Sequence, residues 1–215
     1  EQTKQSLALT DELYGISQAI NEANNETEIL EALARPAAEN GAISAILMYL
    51  DLDETGKPEW AQIVADWRTE GVTPIPIGTR VYLPEMPLSK FWIADPDSPL
   101  LISNIKTDER VDDAARGRMV QGGIQALATI PLTRGREQIA TLLFNWDQSH
   151  EFSSQENETY NAIIGLATPA VQSRRLFGQI QAALDDAETF RQLAEASGQG
   201  VSMATMDGTV TYANP

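Results

Sequence analysis

Two apolar runs, Ile124 to Leu132 and Ile139 to Trp146, stand either side of a short polar stretch, Thr133 to Gln138, centred on Arg134, Gly135 and Arg136. Ile, Leu, Ala and Thr dominate the first run, and Ile, Leu, Thr and aromatic residues the second, which predicts two strands. A turn this short with a glycine at its centre joins them as an antiparallel hairpin. Upstream, Ile43 to Leu50 reads as a buried strand, and the turn residues Asp53, Thr55, Gly56 and Pro58 lead to a second strand carrying Trp60, Ile63, Val64 and Trp67. The mixed period of these two leaves their register open.

Helical spacing brackets the strands. Leu9, Leu13, Ile16, Ile20 and Ala23 share one stripe of a helix ending near Asn24 and Asn25, and a partner must cover that stripe. A second helix is predicted from Glu26 to Glu39, with Ile29, Leu30, Leu33 and Ala37 facing a core, Asn40-Gly41 as the stop and Pro36 as the place for a kink. Between Gly71 and Pro99 the prolines 74, 76, 84, 87, 96 and 99 forbid long elements, while Val81, Leu83, Met86, Leu88 and Ile93 need cover, so an irregular lid with short helices is expected. Leu100 to Ile105 reads as a short strand, and Val111 to Met119 as a modest helix stopped by Gly122-Gly123. Ser153 or Ser154 caps a long helix from near Gln155, in which Pro169 is expected to interrupt the ladder. Its far end carries Leu176, Ile180, Ala183, Ala187, Phe190 and Ala194 at alternating steps of four and three, a coiled-coil-like stripe. Helices, strands, an irregular connection, a hairpin and a terminal helix make an α+β chain with helices on one side of an antiparallel sheet.

Composition excludes several chemistries. The 215 residues hold 31 acidic and 15 basic side chains for a net charge of -16, with no basic cluster large enough to grip a phosphate backbone or an anionic membrane surface, so no nucleic acid and no direct membrane contact are expected. No apolar run approaches the roughly 20 residues of a membrane span. The absence of Cys removes disulfides, thiolate nucleophiles and thiolate-bound metal, and the single histidine, His150, removes a multi-histidine metal site. Glu1 opens the chain without Met and without the charged and apolar regions of a secretion signal, which predicts an internal fragment and a cytoplasmic location.

Residues 25–174 resemble a GAF domain. The resemblance rests on the paired N-terminal helices, the strand ISAILMYLD, the segment LLISNIKTDERV, the hairpin IQALATIPLTRGREQIATLLFNW and the helix start FSSQENETYNAIIGLA. It implies a GAF-like antiparallel sheet of five or six strands with flanking helices and a long terminal signalling helix. It also implies a pocket on the opposite side of the sheet beneath irregular connections. By that resemblance Trp60, Trp67, Tyr82, Phe91 and Trp92 are ligand-binding candidates for the pocket wall, against the plainer reading that they pack the core or lid. The final segment, AEASGQGVSMATMDGTVTYANP, resembles the opening of a PAS domain, with a strand at Val201 to Ala204, a turn at Met206 to Gly208 and a strand at Thr209 to Tyr212. Too few residues follow to build a separate core, so Asn214-Pro215 is read as a boundary inside that next domain. The expected layout is 1–24 as a linker or dimerisation helix, 25–174 as the GAF-like sensory domain, 175–197 as a helical linker and 198–215 as the truncated start of a PAS-like domain.

GAF and PAS modules in series resemble the input half of bacterial signalling proteins, often sensor histidine kinases. The resemblance therefore implies a non-catalytic sensory and dimerisation module of a multidomain signal-transduction protein. Its partners would be a second copy, through the terminal helices, and an unidentified small molecule. The alternatives are a structural protein-interaction module without a small-molecule ligand and an unrecognised small-molecule enzyme. No cofactor is predicted: bilin-linked photoreceptors and GAF-type methionine sulfoxide reductases both depend on Cys, which is absent. The string NIKTDER lacks the spacing and the Phe of cyclic-nucleotide-binding members. No catalytic or metal residues are assigned. The pairs Asp112-Asp113 and Asp185-Asp186 point apart on a helix, and His150 with Ser153 and Ser154 lacks a nucleophile elbow or oxyanion framework.

Overall fold

The computed structural model describes residues 2–196 and 200–213. In chain order the elements are α1 (Gln2–Glu22), α2 (Glu26–Glu39), β1 (Ser44–Leu52), β2 (Pro58–Arg68), β3 (Arg80–Tyr82), a 3-10 turn at Leu83–Glu85, α3 (Ser89–Ala94), β4 (Leu100–Ile102), α4 (Asp113–Gln121), β5 (Ala126–Arg134), β6 (Glu137–Trp146), α5 (Ser154–Ala196), β7 (Ser202–Ala204) and β8 (Val210–Ala213). The chain divides into two compact units, Glu1–Gln172 and Ser173–Pro215.

In the first unit, β3-β2-β1-β6-β5-β4 form a six-stranded sheet with every neighbouring pair antiparallel. The α+β expectation holds, at six strands. Helix starts follow local chemistry. The Asn25 side chain accepts from the Glu28 amide at 2.9 Å, and the Glu28 carboxylate accepts from the Asn24 amide at 2.7 Å, a reciprocal cap for α2. Asp112 caps α4 by accepting from the Ala115 amide at 2.8 Å. Ser153 Oγ accepts from the Glu156 amide at 3.1 Å while Glu156 Oε2 accepts from the Ser153 amide at 2.9 Å, the same device at the head of α5.

Strand alternation sorts the sheet into two buried faces. Ala45, Leu47 and Tyr49 of β1 join Ile16, Ile20, Leu30, Leu33, Phe144, Tyr160 and Ile163 in a core between the sheet and helices α1, α2 and α5. Ile46, Met48 and Leu50, the intervening residues, meet Ala61, Ile63, Leu83, Trp92 and Leu143 on the opposite face, beneath the segment from β3 to α3. A third cluster, Leu88, Ile102, Ile105, Val111, Ala115 and Leu127, continues that lid-side packing under α4. Because β1 is buried on both sides, its sequence shows no period of two.

Several expectations are corrected in detail. The hairpin turn is not six residues long. Arg134 pairs with Glu137, and Gly135, at φ +63°, occupies the first turn position with Arg136. Pro36 and Pro169 break neither helix: α2 runs through to Glu39 and α5 is one element of 43 residues. Burial of α2 and of the first turns of α5 against the sheet outweighs the lost donor. The short strand β3 lies within the stretch expected to be irregular, and the strand expected to reach Ile105 stops at Ile102.

The second unit holds the far end of α5 and the antiparallel pair β7-β8, whose turn has Gly208 at φ +87° and Asp207 accepting from Thr205 and Thr209. The Phe190 and Tyr212 rings lie 5.9 Å apart. The boundary expected at Asn214-Pro215 lies outside the described residues.

Candidate functional site

The buried polar side chains that the sheet itself carries lie on its lid-side face. Ser44, Thr129, Gln138, Thr141 and Asn145 are all buried. Asn145 donates to Ser44 Oγ at 3.0 Å, and Thr141 donates to the Ile130 carbonyl at 3.3 Å. Gln138 is different. It is 4% exposed, and neither its amide nitrogen nor its amide oxygen has a hydrogen-bond partner. A register shift between Leu132 and Thr133 explains its position: Ala140 pairs with Leu132, Gln138 pairs with Thr133, and Ile139 is the extra residue. Ile139 and Ala140 both join the helix-side core, so Gln138 falls on the opposite face. An unpaired buried amide costs about 1–3 kcal/mol, which makes Gln138 a destabilising residue at this end of the face.

The lid over this face is tied down at α3. Ser89 Oγ donates to the Leu83 carbonyl at 2.6 Å. Leu88, just before α3, sits at φ +65°, a strained backbone for a residue with a Cβ, and its burial at 6% exposure offsets that strain. Below α3, Asp108 receives Arg110 at 2.6 Å, and Arg110 also donates to the Leu101 carbonyl at 2.8 Å. The guanidinium hydrogen bond holds the Asp108 carboxyl below its ordinary value.

The five aromatic candidates do not converge. Trp92 lies in the lid-side cluster at 1% exposure, and Phe91 packs on the neighbouring cluster around Leu88 and Ile102. Trp67 pairs with Ala45 and packs on the helix-side core. Trp60 pairs with Asp51 and Tyr82 with Trp60, the same parity as Tyr49, so both rings lie on the helix side of the sheet near its edge. There the two rings are 4.9 Å apart, with the Arg80 guanidinium 5.2 Å from the Trp60 ring and 2.8 Å from Asp51. Phe91 and Trp92 thus share the lid side, and Trp60, Trp67 and Tyr82 the other. Gln138 was missed in the sequence because it ends a polar stretch read as turn; the Gly135 turn counted back two residues on each strand is the signal that would have found it.

His150 and Ser153 serve the head of α5. His150 Nε2 lies 2.6 Å from Glu156 Oε1, its ring stacks on Trp146 at 4.7 Å, and the Ser153 hydroxyl donates to Glu156 Oε2 at 3.0 Å. The hydroxyl and the imidazole both meet the carboxylate, which is a capping arrangement and not a nucleophile with its base. Among the described residues no group of three or more His, Cys, Asp or Glu could hold a metal ion.

No family model and no curated protein matches the chain. Solved structures do. The chromophore-binding domain of an unusual bacteriophytochrome from R. palustris superposes with a TM-score of 0.63 at 11% identity, over 80% of this chain and 63% of that one. The chromophore-binding domain of Stigmatella aurantiaca bacteriophytochrome gives 0.62 at 12% identity, over 77% of this chain and 60% of that one. The phycoerythrobilin-bound GAF domain of a cyanobacterial phytochrome gives 0.62 at 16% identity, over 80% of this chain and 99% of that one. The chain has a GAF-like fold. It spans less than two thirds of either bacteriophytochrome domain but nearly all of the isolated GAF domain. With no Cys, this GAF-like chain has no thiol to form a thioether to a bilin.

Proposed function

We propose that the chain is a non-catalytic sensory and dimerisation module of a multidomain signal-transduction protein, foremost a cytoplasmic sensor histidine kinase. In this reading residues 25–174 sense, 1–24 are a linker or dimerisation helix, 175–197 are a helical linker, and 198–215 begin a PAS-like domain. The observation that carries it is the far end of α5. Leu176, Ile180, Leu184 and Leu193 are 47%, 58%, 57% and 67% exposed on one helix. That is an apolar surface without cover in a single chain.

The stripe of Leu176, Ile180, Ala183, Ala187, Phe190 and Ala194 fits alternating d and a positions of a heptad, which puts Asp186 at g and Arg191 at the following e. In a parallel in-register pair, Asp186 of each helix faces Arg191 of the other, twice by symmetry, alongside the Arg191 pair with Glu188 of its own helix at 2.7 Å. The occupant of the exposed part of the stripe, Leu176 to Ala187, is then a second copy, while beyond it Phe190 lies on the Tyr212 ring and Ala194 is already buried. A ligand that bound one helix packing more tightly than another would pass its state along α5. Sedimentation equilibrium tests this: a dimer is expected, and Ile180→Asp with Leu184→Asp should give a folded monomer. A wild-type chain that stays monomeric at all accessible concentrations removes the reading.

One observation favours a second reading, a protein-interaction module without a small-molecule ligand. Met48, Leu50, Leu83 and Trp92 are each at most 2% exposed, so side chains already fill much of the lid-side face. Native mass spectrometry separates the two. A retained non-covalent mass, lost in Gln138→Leu, supports sensing, and a dimer of bare mass supports interaction alone.

A further inference from the structure

On the helix side of the sheet, away from the lid, a cavity of about 160 Å³ lies where α1, the end of α2 and the head of α5 meet. Its lining includes Glu12, Asn40, Glu156, Thr159 and Tyr160. A wider groove of about 370 Å³ shares Glu12, Pro36 and Gln155 with it and adds Asp11, Glu39, Arg35 and the apolar edge of Ile16. One residue of its lining carries a buried polar group without a partner. Tyr160 is 0% exposed, its ring packed 5.7 Å from Phe144, and its hydroxyl has no hydrogen-bond partner. Burial first, then Glu156 and Glu12, hold that phenol well above its ordinary value, so it stays neutral and keeps its proton.

The charge around the cavity has one sign. Glu12 already accepts from Thr159 Oγ1 at 3.2 Å, and Glu156 is held by His150 and Ser153. The last turn of α2, the negative end of its dipole, carries Glu39 and no basic residue, and the Asn40 side chain there bonds back to the Pro36 carbonyl at 2.9 Å. Against Asp11, Glu12, Glu39 and Glu156 stand Arg35 at the groove and His150 behind Glu156. Two carboxylates with a phenol and a threonine hydroxyl suit a cation that brings its own N–H donors. They are too few carboxylates for a divalent metal site. The volume admits one such head group, and Ile16 and Pro36 offer an apolar wall for a short alkyl chain.

We propose that this cavity is a binding site for the primary ammonium group of a small aliphatic amine, with Glu12 and Glu156 supplying the charge and the Tyr160 phenol oxygen accepting one ammonium N–H. The site is independent of the lid-side face. It would let the packing of α1, α2 and α5 respond to an amine at the root of the helix that leaves the core.

Titration of the intact chain with butylammonium at constant ionic strength, followed by amide resonances of Asn40, Glu156 and Tyr160, tests it. The expected result is a saturable shift at these positions, weakened about tenfold or more in Tyr160→Phe and in Glu12→Gln, as expected for one lost charge-assisted hydrogen bond. Tyr160→Phe keeps the ring in place, and Glu12 lies on a half-exposed helix face, so both variants should stay folded. An equal response to tetramethylammonium, which has no N–H, or to potassium would overturn the assignment. So would a wild-type chain with no saturable shift, or affinities unchanged in both variants.

Discussion

Along one helix, two stretches with similar apolar spacing meet opposite surroundings. Tyr160, Ile163, Ala167 and Val171 near the head of α5 are each 0% exposed, while Leu176, Ile180 and Leu184 further on are 47%, 58% and 57% exposed. Spacing records that a face must be covered. It does not record by what. The first stretch is covered by the sheet of its own chain, and in the proposed assembly the second is covered by another copy.

The sharpest way to break this contrast is to remove the same group from each stretch. Ile163→Ala should cost about 2–5 kcal/mol in urea unfolding, because the cavity left in a packed core does not refill. An effect below about 1 kcal/mol would mean that the head of α5 is loosely held. Next comes Gln138→Met, which removes the orphaned amide at similar volume. It should raise stability by about 1–2 kcal/mol, and a loss instead would show that water or a ligand pairs the amide in solution. Ser153→Ala removes the cap at the buried end of α5 and should cost about 1 kcal/mol in the same assay. Ile180→Ala should change the stability of dilute monomer by less than about 0.5 kcal/mol while weakening self-association. A loss as large as that of Ile163→Ala would place Ile180 in an intrachain core and end the comparison.

The smallest effect is one of pH. Asp108 is held below its ordinary value by Arg110, so the charged pair stabilises the fold above the unfolded carboxyl value, and that contribution disappears as pH falls through the lower folded value. Asp108→Asn should therefore flatten the loss of stability below about pH 4, read as the urea midpoint against pH. An unchanged slope would assign acid sensitivity to other carboxylates.

The sequence was most legible where one face of an element is buried. The stripe Leu13, Ile16 and Ile20 announced α1, and Ser153 with Glu156 announced the start of α5. It was least legible in two kinds of place. Strand β1 is buried on both faces, so Ile43 to Leu50 gave a strand but no register. Strand β3 spans only Arg80–Tyr82 and is held through Trp60, Ala61 and Gln62, so its existence depends on long-range pairing that no local pattern carries. For the site, aromatic residues drew attention through their size. Their faces are decided by strand parity and the irregularity between Leu47 and Met48, which sends Ile63 to the lid side and Ala65 and Trp67 to the helix side. Gln138 and Tyr160, whose buried side chains lack partners among the described residues, look unexceptional as letters and become informative only when their surroundings are known.

Pro169 gives α5 a mechanical character. It brings no N–H to the Gly165 carbonyl, and beside it Thr168 turns its hydroxyl back to the Ile164 carbonyl at 2.7 Å, so the ladder is weakest just before Val171, the last α5 residue buried against the sheet core. From Pro169 to Ala196 the helix continues for roughly 40 Å at about 1.5 Å per residue. A helix that lacks a rung at Pro169 bends there at lower cost than elsewhere along its length, so that turn is the softest joint in α5.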